Sequence, residues 1–127
     1  MKSKVLKIAA NGKWEFVEVE GSRRVPINLE TLQQAVGGYV ECWNLDAIGL
    51  PDIDLWFNEE GKLKMLPINS LASLMSGIFC FGDLIVGDVL FCAHNGTGKS
   101  IGLDEVQEAA LRRLIDKVTK ITKQGQK

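Results

Sequence analysis

The chain has 127 residues, of which 46% are hydrophobic, with 15 basic and 16 acidic side chains and a formal net charge of -1. That length suits one domain, 1–127, built around one core, and the balanced charge gives no overall field toward nucleic acid or an anionic membrane. The longest strongly apolar stretch, Leu84 to Ala93, is broken by Gly87 and Asp88 and is far too short for a helix spanning a bilayer of about 30 Å.

The start of the chain, Met1-Lys2-Ser3-Lys4, leads into only a brief apolar run before Asn11-Gly12. That is not the h-region of a signal peptide, so a cytoplasmic address is expected. Lys4 to Ala10 and Trp14 to Glu20 flank Asn11-Gly12, a favoured two-residue turn, and predict an antiparallel hairpin. After the loop Gly21 to Pro26, Asn28 is placed as an N-cap and Leu29 to Val36 as a short helix ending at Gly37. Tyr39 to Leu45 resumes as a strand. Ile53 to Phe57 and Lys62 to Leu66 read as a second hairpin joined through Asn58-Glu59-Glu60-Gly61. Ser70 to Ser76 suits a short helix or turn, and Leu84 to Ala93 a central strand or bent pair with Gly87 at a bulge or close approach.

From Asp104 the period changes. Asp104 and Gln107 resemble a capping pair, and Leu111, Leu114, Ile115, Val118 and Ile121 recur at helical spacing. The expected fold is a single α+β domain. It has a mainly antiparallel sheet of about five or six strands over 1–103, a short first helix, a long helix over 104–123 packed on one face, and a tail at 124–127.

The sequence carries one conspicuous motif, Ala93-His94-Asn95-Gly96-Thr97-Gly98-Lys99-Ser100, a relaxed match to a phosphate-binding loop. A working loop of that kind opens a helix at its Lys and Ser. Here Ile101-Gly102-Leu103 follows and the capping signal comes only at Asp104, so a polar hairpin turn with positive φ at Asn95 or Gly96 is predicted instead.

No complete catalytic set stands out. His94 is the one histidine, and on a strand it shares a face with Cys92, which allows a thiol–imidazole pair. Cys42, Cys80 and Cys92 are dispersed, with no C-x-x-C pair, so neither a metal nor a cofactor is expected. Asp46, Asp52, Asp54, Glu59 and Glu60 fall in a stretch without Lys or Arg. Two of them facing one another could serve as general acid and base, and otherwise they form a solvated rim.

Other residues suit binding. Arg23-Arg24 brings two guanidinium groups together for phosphate. Gly37-Gly38 allows close backbone approach, and Tyr39 beside them can stack or donate. Trp43 and Trp56 lie in neighbouring strands, and Trp56-Phe57 points one ring to each face, so one ring is expected in the core and another exposed. Asn58 and Asn69 complete the candidate set.

The order of segments Val36-Gly37-Gly38-Tyr39-Val40-Glu41, Trp56-Phe57-Asn58-Glu59-Glu60-Gly61, Leu66-Pro67-Ile68-Asn69 and Ile85-Val86-Gly87-Asp88, followed by a terminal helix, resembles the domain-of-unknown-function 3846 family. The resemblance covers nearly the whole chain. It implies a small intracellular protein of phages, plasmids and integrative elements, with an accessory role in host conflict or element maintenance and no established catalysis. The expected function is non-enzymatic sequestration of a nucleotide-derived host defence signal. One alternative is an interaction protein that inhibits a host protein through its sheet edge or acidic surface, and another is a small phosphoester hydrolase. Expected partners are a phosphate-bearing small molecule or a host protein, with a homo-oligomer allowed and neither membrane nor nucleic acid expected.

Overall fold

A computed structural model describes residues 2–21 and 25–125. The elements run β1 (Lys2–Ile8), β2 (Trp14–Glu20), α1 (Leu29–Val36), β3 (Val40–Asn44), β4 (Ile53–Asn58), α2 (Ser70–Met75), β5 (Val89–His94), β6 (Ser100–Ile101) and α3 (Glu105–Gly125), with 3-10 turns at Leu45–Ile48 and Ile78–Phe81. All strand pairs are antiparallel, in the order β2-β1-β5-β4-β3, with β6 added beside the end of β5. One sheet of five to six strands with a short early helix and a long last one is the architecture expected.

Both faces of the sheet are covered. Leu6, Ile8, Leu55, Phe91 and Val89 face α2 and α3, where they meet Met75, Leu111, Ile115 and Val118. Val5, Leu90 and Cys92 face the other way and pack with Leu32 of α1 and Ile27. Val5 and Leu6 are therefore both fully buried although they alternate.

The helix ends follow the sequence closely. Asn28 Oδ1 accepts the Thr31 N–H at 2.8 Å, and Gly37 closes α1 in the left-handed region at φ 80. At α3, the Gln107 N–H donates to Asp104 Oδ1 at 2.7 Å while the Asp104 N–H donates to Gln107 Oε1 at 2.9 Å, a reciprocal capping box. The stripe of α3 is buried at Leu111, Ile115 and Val118 and half-buried at Leu114, but Ile121 lies exposed.

Three local expectations are corrected. Lys62 to Leu66 is not a strand, and β4 pairs with β3 and β5 and not with it. Bonds from the Lys64 N–H to Glu60 O (2.9 Å), Met65 N–H to Lys62 O (3.1 Å) and Leu66 N–H to Gly61 O (3.0 Å) wind it into turns. The winding lets Leu66 lie against Gly87, where an added Cβ would stand 2.8 Å from Leu66 Cδ1, and lets Gly61 meet Val86. That close approach needs glycine at both positions.

The loops of the two hairpins are also longer than a two-residue turn. In the first, the Ala9 N–H donates to Lys13 O and the Gly12 N–H to Ala9 O, with Gly12 at φ 91; in the second, the Asn95 N–H donates to Lys99 O and the Gly98 N–H to Asn95 O, with Gly98 at φ 80. Each is a three-residue loop whose last residue is left-handed, so positive φ falls at Gly98 rather than at Asn95 or Gly96. Finally, β5 starts only at Val89. Val86 makes an isolated bridge with Ile68, and Gly87 at φ 80 breaks the apolar run between them.

Candidate functional site

The hairpin loop, the end of α1 and the approach to β5 meet at one end of the sheet. Asp88 accepts the Ala10 N–H at 3.0 Å through Oδ1, and the Gly87 N–H donates to Pro67 O at 2.7 Å. Between these braces lies a cleft of about 280 Å³ whose lining includes Lys7, Gln34, Gly37, Leu66, Pro67 and Asp88. A wider hollow of about 580 Å³ shares Lys7 and Asp88 and adds Lys13, Trp14 and Glu15.

Lys7 is the central group. It sits in β1 opposite Glu15 of β2 and Leu90 of β5, half-buried on the α1 face of the sheet. Its ammonium makes no ion pair among the described residues. Asp88 has its second oxygen left for a donor, because Oδ1 already caps the loop. Trp14 pairs with Ile8 and so turns its ring to the α3 face, edge-on to Phe16 and under the Arg112 guanidinium at 5.8 Å, away from Lys7.

The residues singled out from the sequence are dispersed. Arg23 and Arg24 lie outside the described residues. Gly37 lines the cleft and Tyr39 is exposed beyond it. Gly38 is packed, with a built Cβ 3.0 Å from Asn58 Nδ2 and 3.4 Å from Lys64 Nζ. The polar atoms of Asn58 are engaged within the fold, since Nδ2 donates to Val36 O at 3.2 Å and Oδ1 accepts the Glu60 N–H at 2.8 Å. Asn69 is fully buried, donating to Ile8 O and Gly87 O and accepting from the Ala72 N–H. Trp43 faces the α2 side, giving its indole N–H to Ser76 O at 2.8 Å and its ring edge to Phe81. Trp56 and Phe57 do take opposite faces, and both are half-buried against the cores. Sequence reasoning missed Lys7, whose one signal was a cation at a position where its strand neighbours are apolar.

A second polar group occupies the opposite end of β4 and β5. Asp54 is buried, accepts Asn44 Nδ2 at 3.0 Å, and holds His94 Nδ1 at 2.8 Å; His94 Nε2 lies 3.3 Å from Asp52. The imidazole thus addresses carboxylates and not Cys92. Burial pushes the Cys92 thiol up to about 12, and burial with the negative charge of Asp54 does the same to Cys42. With His94 turned to Asp54 and Asp52, Cys92 has no imidazole beside it to act as its base. The acidic stretch is divided: Asp52 and Asp54 meet at His94, while β4 carries Glu59 about 23 Å from Asp52 at a strand's rise. Among the described residues no group of three or more His, Cys, Asp or Glu side chains gathers as a metal site, and no helix is long and apolar enough to cross a membrane.

The phosphate-loop match forms the β5–β6 turn. Ser100 belongs to β6, so no helix N-terminus faces Gly98 and Lys99. Residues 1–118 match the family model described as Domain of unknown function (DUF3846). The chain belongs to this family. No curated protein and no solved structure matches the DUF3846 chain.

Proposed function

We propose that this DUF3846 protein is a non-enzymatic binding protein that holds a phosphate-bearing, nucleotide-derived small molecule in the cleft around Lys7 and sequesters it as a host defence signal in the service of a phage or mobile element. The observation that carries the reading is convergence. Three of the four segments behind the family resemblance contribute to one cleft, through Val36-Gly37, Leu66-Pro67 and Gly87-Asp88, and the cleft contains an ammonium without an ion-pair partner among the described residues. In this reading Lys7 and Lys13 take the phosphate, the free Asp88 oxygen takes a ribose hydroxyl, and the backbone at Gly37 meets the base. Helix α1 ends at Gly37, and its carbonyl end disfavours phosphate there, which puts the phosphate on the lysine side. Support for binding without turnover comes from the protonated thiols and from His94, turned to Asp52 and Asp54 and away from Cys92.

The test is a thermal-shift screen of cyclic nucleotides and ADP-ribose derivatives, followed by chromatography of the ligand released on denaturation. A ligand at about 100 times its Kd should stabilise by about 2.7 kcal/mol, and Lys7→Ala should abolish the shift. Recovery of unchanged ligand supports sequestration, whereas a converted product would establish the hydrolase. Silence across the panel would move the assignment to a protein target.

A further inference from the structure

The other end of the sheet order, at β3, carries a surface that the cleft does not explain. The Glu59 N–H donates to Tyr39 O at 2.8 Å, so within the antiparallel β3–β4 register the odd-numbered residues of β3 point their backbone groups inward to β4. Val40 and Cys42 therefore turn their N–H and C=O groups outward, where no strand pairs with them among the described residues, while the C=O of Asn44 opens the 3-10 turn that follows. The strand has neither Pro nor Lys, the residues that commonly guard such an edge.

Beside this edge, on the α2 face, runs a groove of about 190 Å³ floored by Trp43, Phe57, Ile78 and Leu84 and rimmed by Glu41 and Glu59. Lys62 and Asp83 also line it but are paired to each other, so the two glutamates set its charge. Phe79 (58% exposed) and Phe81 (67% exposed) extend the apolar surface, with the Phe81 ring on Trp43.

We infer that β3 and this groove receive an extended, positively charged peptide segment of another protein, added as a further antiparallel or parallel strand. Backbone bonds to Val40 and Cys42 hold the peptide, alternate apolar side chains enter between Trp43 and Leu84, and Lys or Arg side chains meet Glu41 and Glu59. Charge decides between a foreign peptide and a second copy. Antiparallel pairing of two β3 strands about Cys42 sets Glu41 of one diagonally across from Glu41 of the other on the same face, a like-charge contact that a basic peptide reverses.

A fluorescent peptide alternating lysine with valine, capped at both ends, provides the probe. Three comparisons are needed: the same peptide with glutamate for lysine, one N-methylated at alternate amides, and the Glu41→Lys protein. The expected result is saturable binding that weakens at least about tenfold in each comparison, with amide chemical-shift changes centred on residues 40–44. Glu41 is exposed, so its replacement leaves the fold intact. Equal binding of both charge patterns, indifference to N-methylation, or a β3-mediated dimer in sedimentation with Cys42–Cys42 cross-linking would each overturn the inference. None of these outcomes depends on Lys7, so the small-molecule reading stands or falls separately.

Discussion

Replacing Asn69 with alanine separates a structural residue from a ligand contact. The amide nitrogen donates to Ile8 O at 3.1 Å and Gly87 O at 2.9 Å, and Oδ1 accepts the Ala72 N–H at 3.0 Å as the cap of α2. The residue is 0% exposed, so bulk water cannot replace the lost partners. Each buried polar group left alone costs about 1–3 kcal/mol, and loss of a cap costs about 0.5–2 kcal/mol. These terms overlap, and a water entering the small void recovers part of them, so we expect a net loss of about 3–5 kcal/mol. At about 4 °C per kcal/mol for a domain of this size, Tm should fall by about 12–20 °C. Urea unfolding followed by tryptophan fluorescence measures the change from the midpoints at constant slope. Asn69→Asp keeps the acceptor for Ala72 but turns an oxygen toward two carbonyls, and should be at least as damaging. An Asn69→Ala protein within about 0.5 kcal/mol of the parent would refute the reasoning, most clearly if ligand binding were lost at the same time.

Leu111→Ala, at a fully buried position under the sheet, should cost about 2–5 kcal/mol in the same assay; a change no larger than that of an exposed Val106→Ala would argue against the packing of α3. Lys99→Ala and Ser100→Ala should leave nucleotide affinity by calorimetry unchanged, because they occupy a hairpin turn and β6; loss of ATP or GTP binding in either would reinstate the phosphate loop. The Cys42 and Cys92 thiols are raised from 9.0 to about 12 in the fold, so the unfolded chain ionises first. Their contribution is complete below pH 9 and is lost as pH rises toward 12. Unfolding titrations should therefore show stability declining across that window, and the decline should be shallower in a Cys42→Ala, Cys92→Ala double variant.

The parts of this fold legible in the sequence are those written in contiguous residues. Asn28 with Gly37, and Asp104 with Gln107, bound their helices because a cap and its partners lie within one turn. Lys62 to Leu66 misled because its polar–apolar alternation imitates a strand, yet Leu63 and Met65 are 84% and 88% exposed, and contact with Gly87 dictates the conformation. Asn58 and Asn69 suggested ligand contacts because polar residues beside turns often bind. Their actual partners, Val36 and Ile8, lie 22 and 61 positions away. Lys7 was hidden for the opposite reason. With helices on both faces, alternation along β1 no longer separates inside from outside, so a cation facing a cleft reads like any solvated lysine.

What the fold does with its polar groups narrows its chemistry. Buried Asn69, Ser73 and Ser76 tie α2 to the segment before β5 and to the turn after it: the Ser73 hydroxyl donates to Asn69 O and accepts the Ile85 N–H, and Ser76 Oγ accepts the Ile78 N–H. Asn58 ties α1 to β4, and Asp54 ties β3 to β5 through Asn44 and His94. Groups that resemble a catalytic set thus also hold elements in register. Among the described residues the Lys7 ammonium in its cleft and the outward backbone of β3 stand apart from these ties, as does the buried Trp56 indole N–H. Three strand intervals of about 4.8 Å, or roughly 14 Å, separate β1 from β3 across the sheet. An ammonium in a cleft suits an anion, and an open strand edge suits a peptide. Recognition at these two separate places, an anion at one and a peptide at the other, is therefore what we propose for the fold.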